Sequence, residues 1–248
     1  MIAMLANSLL VLNFAVSALA SPFHNSGNFL ACKLGSPVLP VNGGPSELLA
    51  PPGGVKLRHI ALGFGIQNYT CAGPNTIPAA TGALAVLYDI THLYPGQSHS
   101  SLTPRKWASF PSDVLNREKV PLNRDSSGGA SLTNPFPKKQ PLKVESLHKN
   151  IPYLGHHFFN SAGVPTFDLD KVNHLLVAKK IGSIKAPASA PAGPEGTGAV
   201  DWLYLGDAGG SHGVSIAYRV LTAGGASRGC TAKANDSISY TALYWFYG

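Results

Sequence analysis

The chain has 248 residues and a formal net charge of +7, with 12% charged residues, 27 glycines and 20 prolines. Such a turn-rich composition argues against a helical bundle and for a β protein, and the length suits one large all-β domain. No Lys/Arg run exceeds two residues, so the basic tracts of a specific nucleic-acid binder are missing.

Met1–Ala20 is uncharged and apolar, and it closes on Ala18-Leu19-Ala20 before Ser21. A short apolar run ending in a small-x-small site predicts a secretory signal peptide. After cleavage the chain has no transmembrane anchor and is expected outside the cell or at its surface. Residues 21–54 read as a loop-rich arm, with Pro37, Pro40, Pro45, Pro51 and Pro52.

A single β domain is expected over 55–248. Its first strand pattern is Val55–Gly63, where Val55, Leu57 and His59 alternate with Lys56 and Arg58, as a half-buried strand would. Ile66–Cys71 is the next, and Ala79–Asp89 fits either a strand or a short helix. Residues 95–150 hold nine Lys and Arg against four acids, five of the seven net positive charges. This stretch reads as a basic surface insertion or mobile loop, either solvated or a patch for acidic polymers or anionic membranes. Its removal is expected to leave the domain folded.

Strand patterns resume with Leu154–Phe159, Gly163–Asp168 and His174–Lys180. An Ala/Pro/Gly loop follows from Lys185 to Gly198. From Val200 to the end, three apolar, aromatic-rich runs are separated by Gly-rich turns. The spacing predicts an antiparallel β-sandwich or barrel with long loops and little helix.

The cysteines are Cys32, Cys71 and Cys230. An oxidising compartment favours a pair and one left over. Cys71–Cys230 is the favoured pair, since both sit at the ends of strand patterns. Asn235 and Asn68 open sequons, with Asn235 the better glycosylation candidate because Asn68 lies within a strand.

Catalytic candidates are thin: His156, His157 and Asp168. The two adjacent histidines point to opposite faces of a strand and do not easily share a metal, so no metal site is expected. Asp168 and Asp170 would share a face, and Asp201 and Asp207 flank a strand. Gly209-Gly210-Ser211-His212-Gly213 reads as a glycine-rich turn rather than a nucleophile elbow. Gly63-Phe64-Gly65 lacks the third glycine and the helix that a dinucleotide fold requires, so no dinucleotide and no other cofactor is expected. In Tyr244-Trp245-Phe246-Tyr247 alternate rings face opposite sides. Tyr244, Trp245 and Tyr247 are therefore the candidate binding platform, with cell-wall polysaccharide or an acidic polymer as the partner.

These pieces resemble a family of secreted fungal and bacterial proteins of unknown function. The resemblance rests on Pro51-Pro52-Gly53, His59-Ile60-Ala61-Leu62-Gly63, Gln67–Cys71, Gly155-His156, Pro165-Thr166-Phe167 and Trp202-Leu203-Tyr204-Leu205. It is most specific at Arg219–Gly225, Cys230, Tyr240-Thr241-Ala242 and Phe246-Tyr247. It covers about 50–94 and 151–248, leaves 95–150 unmatched, and has Phe167 where the family often has Trp. It implies a β-rich secreted domain and transfers no catalytic residue. Fungal members often carry the label malate dehydrogenase, which none of these motifs supports. The leading expectation is an extracellular binding or structural protein. The alternative is a hydrolase or metal-dependent enzyme using His156 or His157 with Asp168.

Overall fold

The computed structural model describes residues 36–126 and 128–248. Cys32 and the expected signal peptide over Met1–Ala20 lie outside the described residues, as does the first part of the arm.

In chain order the strands are β1 (Leu57–Cys71), β2 (Ala79–Asp89), β3 (Leu142–Val144), β4 (Lys149–Ile151), β5 (Tyr153–Phe159), β6 (Pro165–Leu169), β7 (His174–Ile184), β8 (Trp202–Asp207), β9 (Ile216–Gly224) and β10 (Ala234–Tyr247). One helix, α1 (Pro104–Arg117), lies between β2 and β3. Eight strands close a barrel in the order β1-β10-β9-β8-β7-β6-β5-β2, and β3 and β4 form a separate small sheet. All the pairings are antiparallel, and each barrel strand lies beside the next one in sequence once β3 and β4 are set aside. The fold is thus all-β, as the turn spacing implied, and a barrel rather than a sandwich. Closure leaves no barrel edge unpaired.

Two apolar layers stabilise the barrel. The inner one contains Ala61, Ala83, Ala85, Leu87, Phe167, Leu205, Ala217, Ala242, Tyr240, Tyr244 and Phe246. It pairs small residues with rings. The two strand patterns Val55–Gly63 and Ile66–Cys71 are one continuous strand, β1, which runs through Gly63 and Gly65. A Cβ on Gly63 would sit 2.4 Å from Tyr244 Cε2, and one on Gly65 would sit 1.9 Å from the Leu84 carbonyl oxygen. The glycines mark close approach inside a tightly coiled strand.

The outer layer corrects the reading of 95–150 as a surface loop. Thr103 caps α1, its hydroxyl accepting from the Lys106 amide, and Pro104 occupies the first turn, where no amide donor is needed. Trp107, Phe110, Val114 and Leu115 are buried in one cluster with Ile60, Leu62, Phe64, Tyr218, Val220, Leu243 and Trp245. Buried Leu142, Val144 and Ile151 extend that cover. The described part of the arm has no strand or helix, yet Leu39 and Leu48 pack on the same cluster. Tyr218 donates its hydroxyl to the Leu49 carbonyl at 2.9 Å.

This double burial also corrects the aromatic platform. Tyr244 and Trp245 are 1% and 0% exposed, and Tyr247 is 7% exposed. Alternation holds along β10, but both faces of the strand are core. Tyr244 and Phe246 fill the barrel, while Trp245 and Tyr247 lie under the outer layer.

A Cys71–Cys230 disulfide joins the end of β1 to the connection between β9 and β10, with Cα atoms 5.4 Å apart.

Candidate functional site

Four connections meet at the end of the barrel where β1 finishes: β1–β2, β5–β6, β7–β8 and β9–β10. A cleft of about 720 Å³ opens there, lined among others by Gln67, Phe159, Leu203, Leu205, Asp201 and Arg219. Leu205 belongs to the inner layer, so the cleft is the mouth of the barrel.

Arg219 reaches the mouth by parity. Ala217, two residues earlier on β9, is in the inner layer, whereas Tyr218 and Val220 are in the outer one. Its Nε and Nη2 donate to the Asp201 carbonyl at 3.1 and 2.9 Å, which orients the guanidinium. The Asp201 carboxylate pairs instead with Lys185 at 3.2 Å. Arg219 has no ion-pair partner among the described residues. Gln67 arrives the same way on β1. It is 7% exposed, and its amide nitrogen is buried with no hydrogen-bond partner. An unmade bond of this kind costs about 1–3 kcal/mol and calls for a ligand or a water.

Deeper in, the Tyr240 and Tyr244 hydroxyls lie 3.1 Å apart. Burial pushes both phenols up, and the nearby Arg219 charge opposes that shift. His157 stacks on Phe167 with ring centroids 4.1 Å apart. Its Nδ1 lies 2.9 Å from the Thr166 carbonyl, which fixes Nδ1 as the protonated nitrogen of the neutral ring and Nε2 as an acceptor. Burial drives the His157 pKa down to about 4. The barrel interior therefore carries a polar line of Gln67, Arg219, Tyr240, Tyr244 and His157 between apolar walls.

The two sequence-derived histidines separate onto different surfaces, and the acids Asp168 and Asp170 lie with His156. His156 and Asp168 are cross-strand neighbours on β5 and β6, facing outward, while His157 is inside. His156 stacks on Phe136 at 4.0 Å and lies 3.2 Å from the Tyr153 hydroxyl through Nδ1. Asp170, just beyond β6, pairs with Lys139. Burial pushes Asp168 up, helped by the Asp170 charge. For Asp170, burial is outweighed by bonds from Lys139 and Tyr153, which hold it low. This cluster ties the segment after α1 to the barrel and borders a cleft of about 430 Å³ lined by Lys119, Lys138 and Lys143 beside Glu118.

Ser211 is not placed as a nucleophile. Its hydroxyl bonds the Asp207 carboxylate and accepts from the Val177 amide, within the β8–β9 turn. His59 and His174 meet at the barrel end opposite the mouth, with ring centroids 5.4 Å apart. No group of three His, Cys, Asp or Glu side chains is arranged as a metal site among the described residues. Asn235 is exposed, whereas the Asn68 side chain accepts from Ser237 across the β1–β10 pair at 2.8 Å.

A family model described as a protein of unknown function (DUF3455) matches residues 51–248. The chain belongs to that family. The match runs through α1, so the segment that the resemblance left out is part of the family domain. No curated protein and no solved structure matches the chain. The malate dehydrogenase label has no support in a closed antiparallel barrel, because dinucleotide sites of that kind are built on a parallel sheet with crossover helices.

His157 and His156 together predict acid sensitivity. Burial holds both near pKa 4, against 6.5 in the unfolded chain. The unfolded chain therefore takes up protons first, and stability present above pH 6.5 is lost as pH falls toward 4. Fully buried His157 contributes on the order of 3 kcal/mol of that loss, and His156, partly open to solvent, contributes less. The depressed carboxylates Asp89 and Asp170 lose their contribution only below their ordinary range, under the histidine window. Urea midpoints at pH 7 and pH 4.5 should differ clearly, and His157→Gln should narrow the gap. Equal midpoints would contradict this assignment.

Proposed function

We propose that this chain is an extracellular binding protein that holds a small molecule in the mouth of its barrel. The observation that carries the reading is the open cleft with an unpartnered, buried Gln67 amide and an Arg219 guanidinium free of any carboxylate among the described residues. Barrels of eight strands are just wide enough to hold one small ligand, and ligand sites concentrate in concave, mostly apolar mouths with a few convergent polar groups. The disulfide suits an oxidising compartment, and the apolar Met1–Ala20 stretch supports export.

A hydrolase built on His156 or His157 with Asp168 draws less support. His157 is sealed inside the barrel at 4% exposure, and His156 and Asp168 belong to a network that anchors the chain. The second reading is an acidic polymer at the cleft of Lys119, Lys138 and Lys143.

Titration with a neutral fluorescent probe such as 1-aminoanthracene should show one saturable site, and Leu203→Trp should block it by filling the mouth. No saturable binding, together with tight retention on an anionic polysaccharide column, would favour the polymer reading instead.

A further inference from the structure

Resting on the mouth reading, we infer that the natural ligand is a small organic acid whose carboxylate is held by Arg219 and Gln67, with its apolar body against Phe159, Leu203 and Leu205. The polar groups facing the mouth are mostly donors. The Asp201 carbonyl takes Nε and Nη2 of Arg219, and the rest of the guanidinium lies beside the Tyr244 hydroxyl with no carboxylate against it among the described residues. The Gln67 amide nitrogen, beside the Tyr240 hydroxyl, is a buried donor that makes no hydrogen bond of full geometry. In the Tyr240–Tyr244 pair one hydroxyl donates to the other, so one further donor remains. A donor-rich site selects an acceptor-rich ligand, and a guanidinium selects a planar oxyanion.

The charge count narrows the class. Arg219 is the cation on the inner part of the cleft, while exposed Lys180 and the Lys185–Asp201 pair lie at its rim. A carboxylate brings a single negative charge and is neutralised by Arg219. A phosphate would bring close to two and leave excess charge against apolar walls, which is costly without a partner. The walls themselves are aromatic and aliphatic: Phe159, Val200, Leu203 and Leu205 line the same cleft. They suit a ring or short hydrocarbon rather than a bare inorganic anion.

The test compares 2-naphthoate with 2-naphthamide, which share a body and differ in the charge of the head group. Calorimetric titration of the full chain should show the acid binding about tenfold or more tighter, the scale of a charge-assisted hydrogen bond. Arg219→Gln should remove that preference while leaving the amide affinity nearly unchanged. Gln67→Leu, which keeps the packing at this site, should weaken the acid and spare the amide, and it serves if Arg219→Gln fails to fold. Equal affinity of acid and amide for the parent chain would overturn the carboxylate assignment and leave the mouth site standing. Binding of neither would overturn the mouth site and this inference together. A preference for the acid that survives both substitutions would place the carboxylate elsewhere and reject the assignment.

Discussion

Phe110→Ala is expected to lower the unfolding free energy by about 3–5 kcal/mol, the usual cost of removing a fully buried ring. Phe110 is 2% exposed and sits in the outer layer with Leu243 and Trp245, both 0% exposed. The helix is docked by more than apolar contact. Thr241 on β10 donates its hydroxyl to the Pro111 carbonyl at 2.7 Å, within the buried contact. Proline supplies no amide, so Pro111 leaves the helix ladder one bond short toward the Trp107 carbonyl, while its own carbonyl takes the Thr241 hydroxyl of β10. Replacing 95–150 by a short Gly/Ser bridge should accordingly abolish folding, because it would expose Trp107's whole cluster on the barrel face. A loss of this size is comparable to the entire stability of many domains. Urea unfolding followed by far-ultraviolet circular dichroism measures both, with exposed Ser109→Ala as a control expected within about 0.5 kcal/mol of the parent. A loop deletion that keeps the parent midpoint, or a Phe110→Ala cost below about 1 kcal/mol, would return the segment to the status of a surface loop.

The strands were legible because period-two alternation and Gly-rich turns are local signals. β10, β9, β7 and the first half of β1 all stand where those patterns place them. What alternation does not carry is whether the second face of a strand meets water. Alternation along Tyr244–Tyr247 implies core on one side and surface on the other, and the outer layer buries both. That layer was hidden by composition. Residues 95–150 look polar on average, yet Thr103-Pro104 is a helix-start signal, and Trp107, Phe110, Val114 and Leu115 fall on one helical face. A windowed periodicity test across that segment finds them where an average does not.

The mouth was harder to read. Arg219 and Gln67 lie within otherwise apolar runs, and each occupies the parity that points into the barrel. A polar residue at the buried parity of a strand is the signal. It becomes readable only once the inner face is known, and that depends on which strands pair across the closure. The His156-His157 pair was read to face opposite ways, and the structure places one ring outside and the other inside. No local pattern indicates that His157 would lie against Phe167 while His156 meets Phe136 from a distant segment.

Removing the disulfide through Cys71→Ala with Cys230→Ala is expected to cost about 3–5 kcal/mol. The two cysteines are 159 residues apart in sequence. In the chain-entropy model, closing a loop of that length restricts the unfolded ensemble by about 5 kcal/mol, and measured removals from secreted domains run about 2–5. The bond also has a local role. It fixes the β9–β10 connection, whose Cys230 carbonyl accepts from the Asn75 amide of the β1–β2 turn at 2.7 Å. Ala226 and Ser227 of the same connection line the mouth. Loss of the bond should therefore weaken probe binding at temperatures where the barrel is still folded, since the connection can then move away from the cleft. Thermal unfolding with and without reductant gives the first quantity, and 1-aminoanthracene titration well below the midpoint gives the second. If stability falls while binding is unchanged, the disulfide acts on the unfolded chain alone. If neither changes, Cys71 and Cys230 are not joined in the folded protein, and peptide mapping without reduction would find each of them elsewhere.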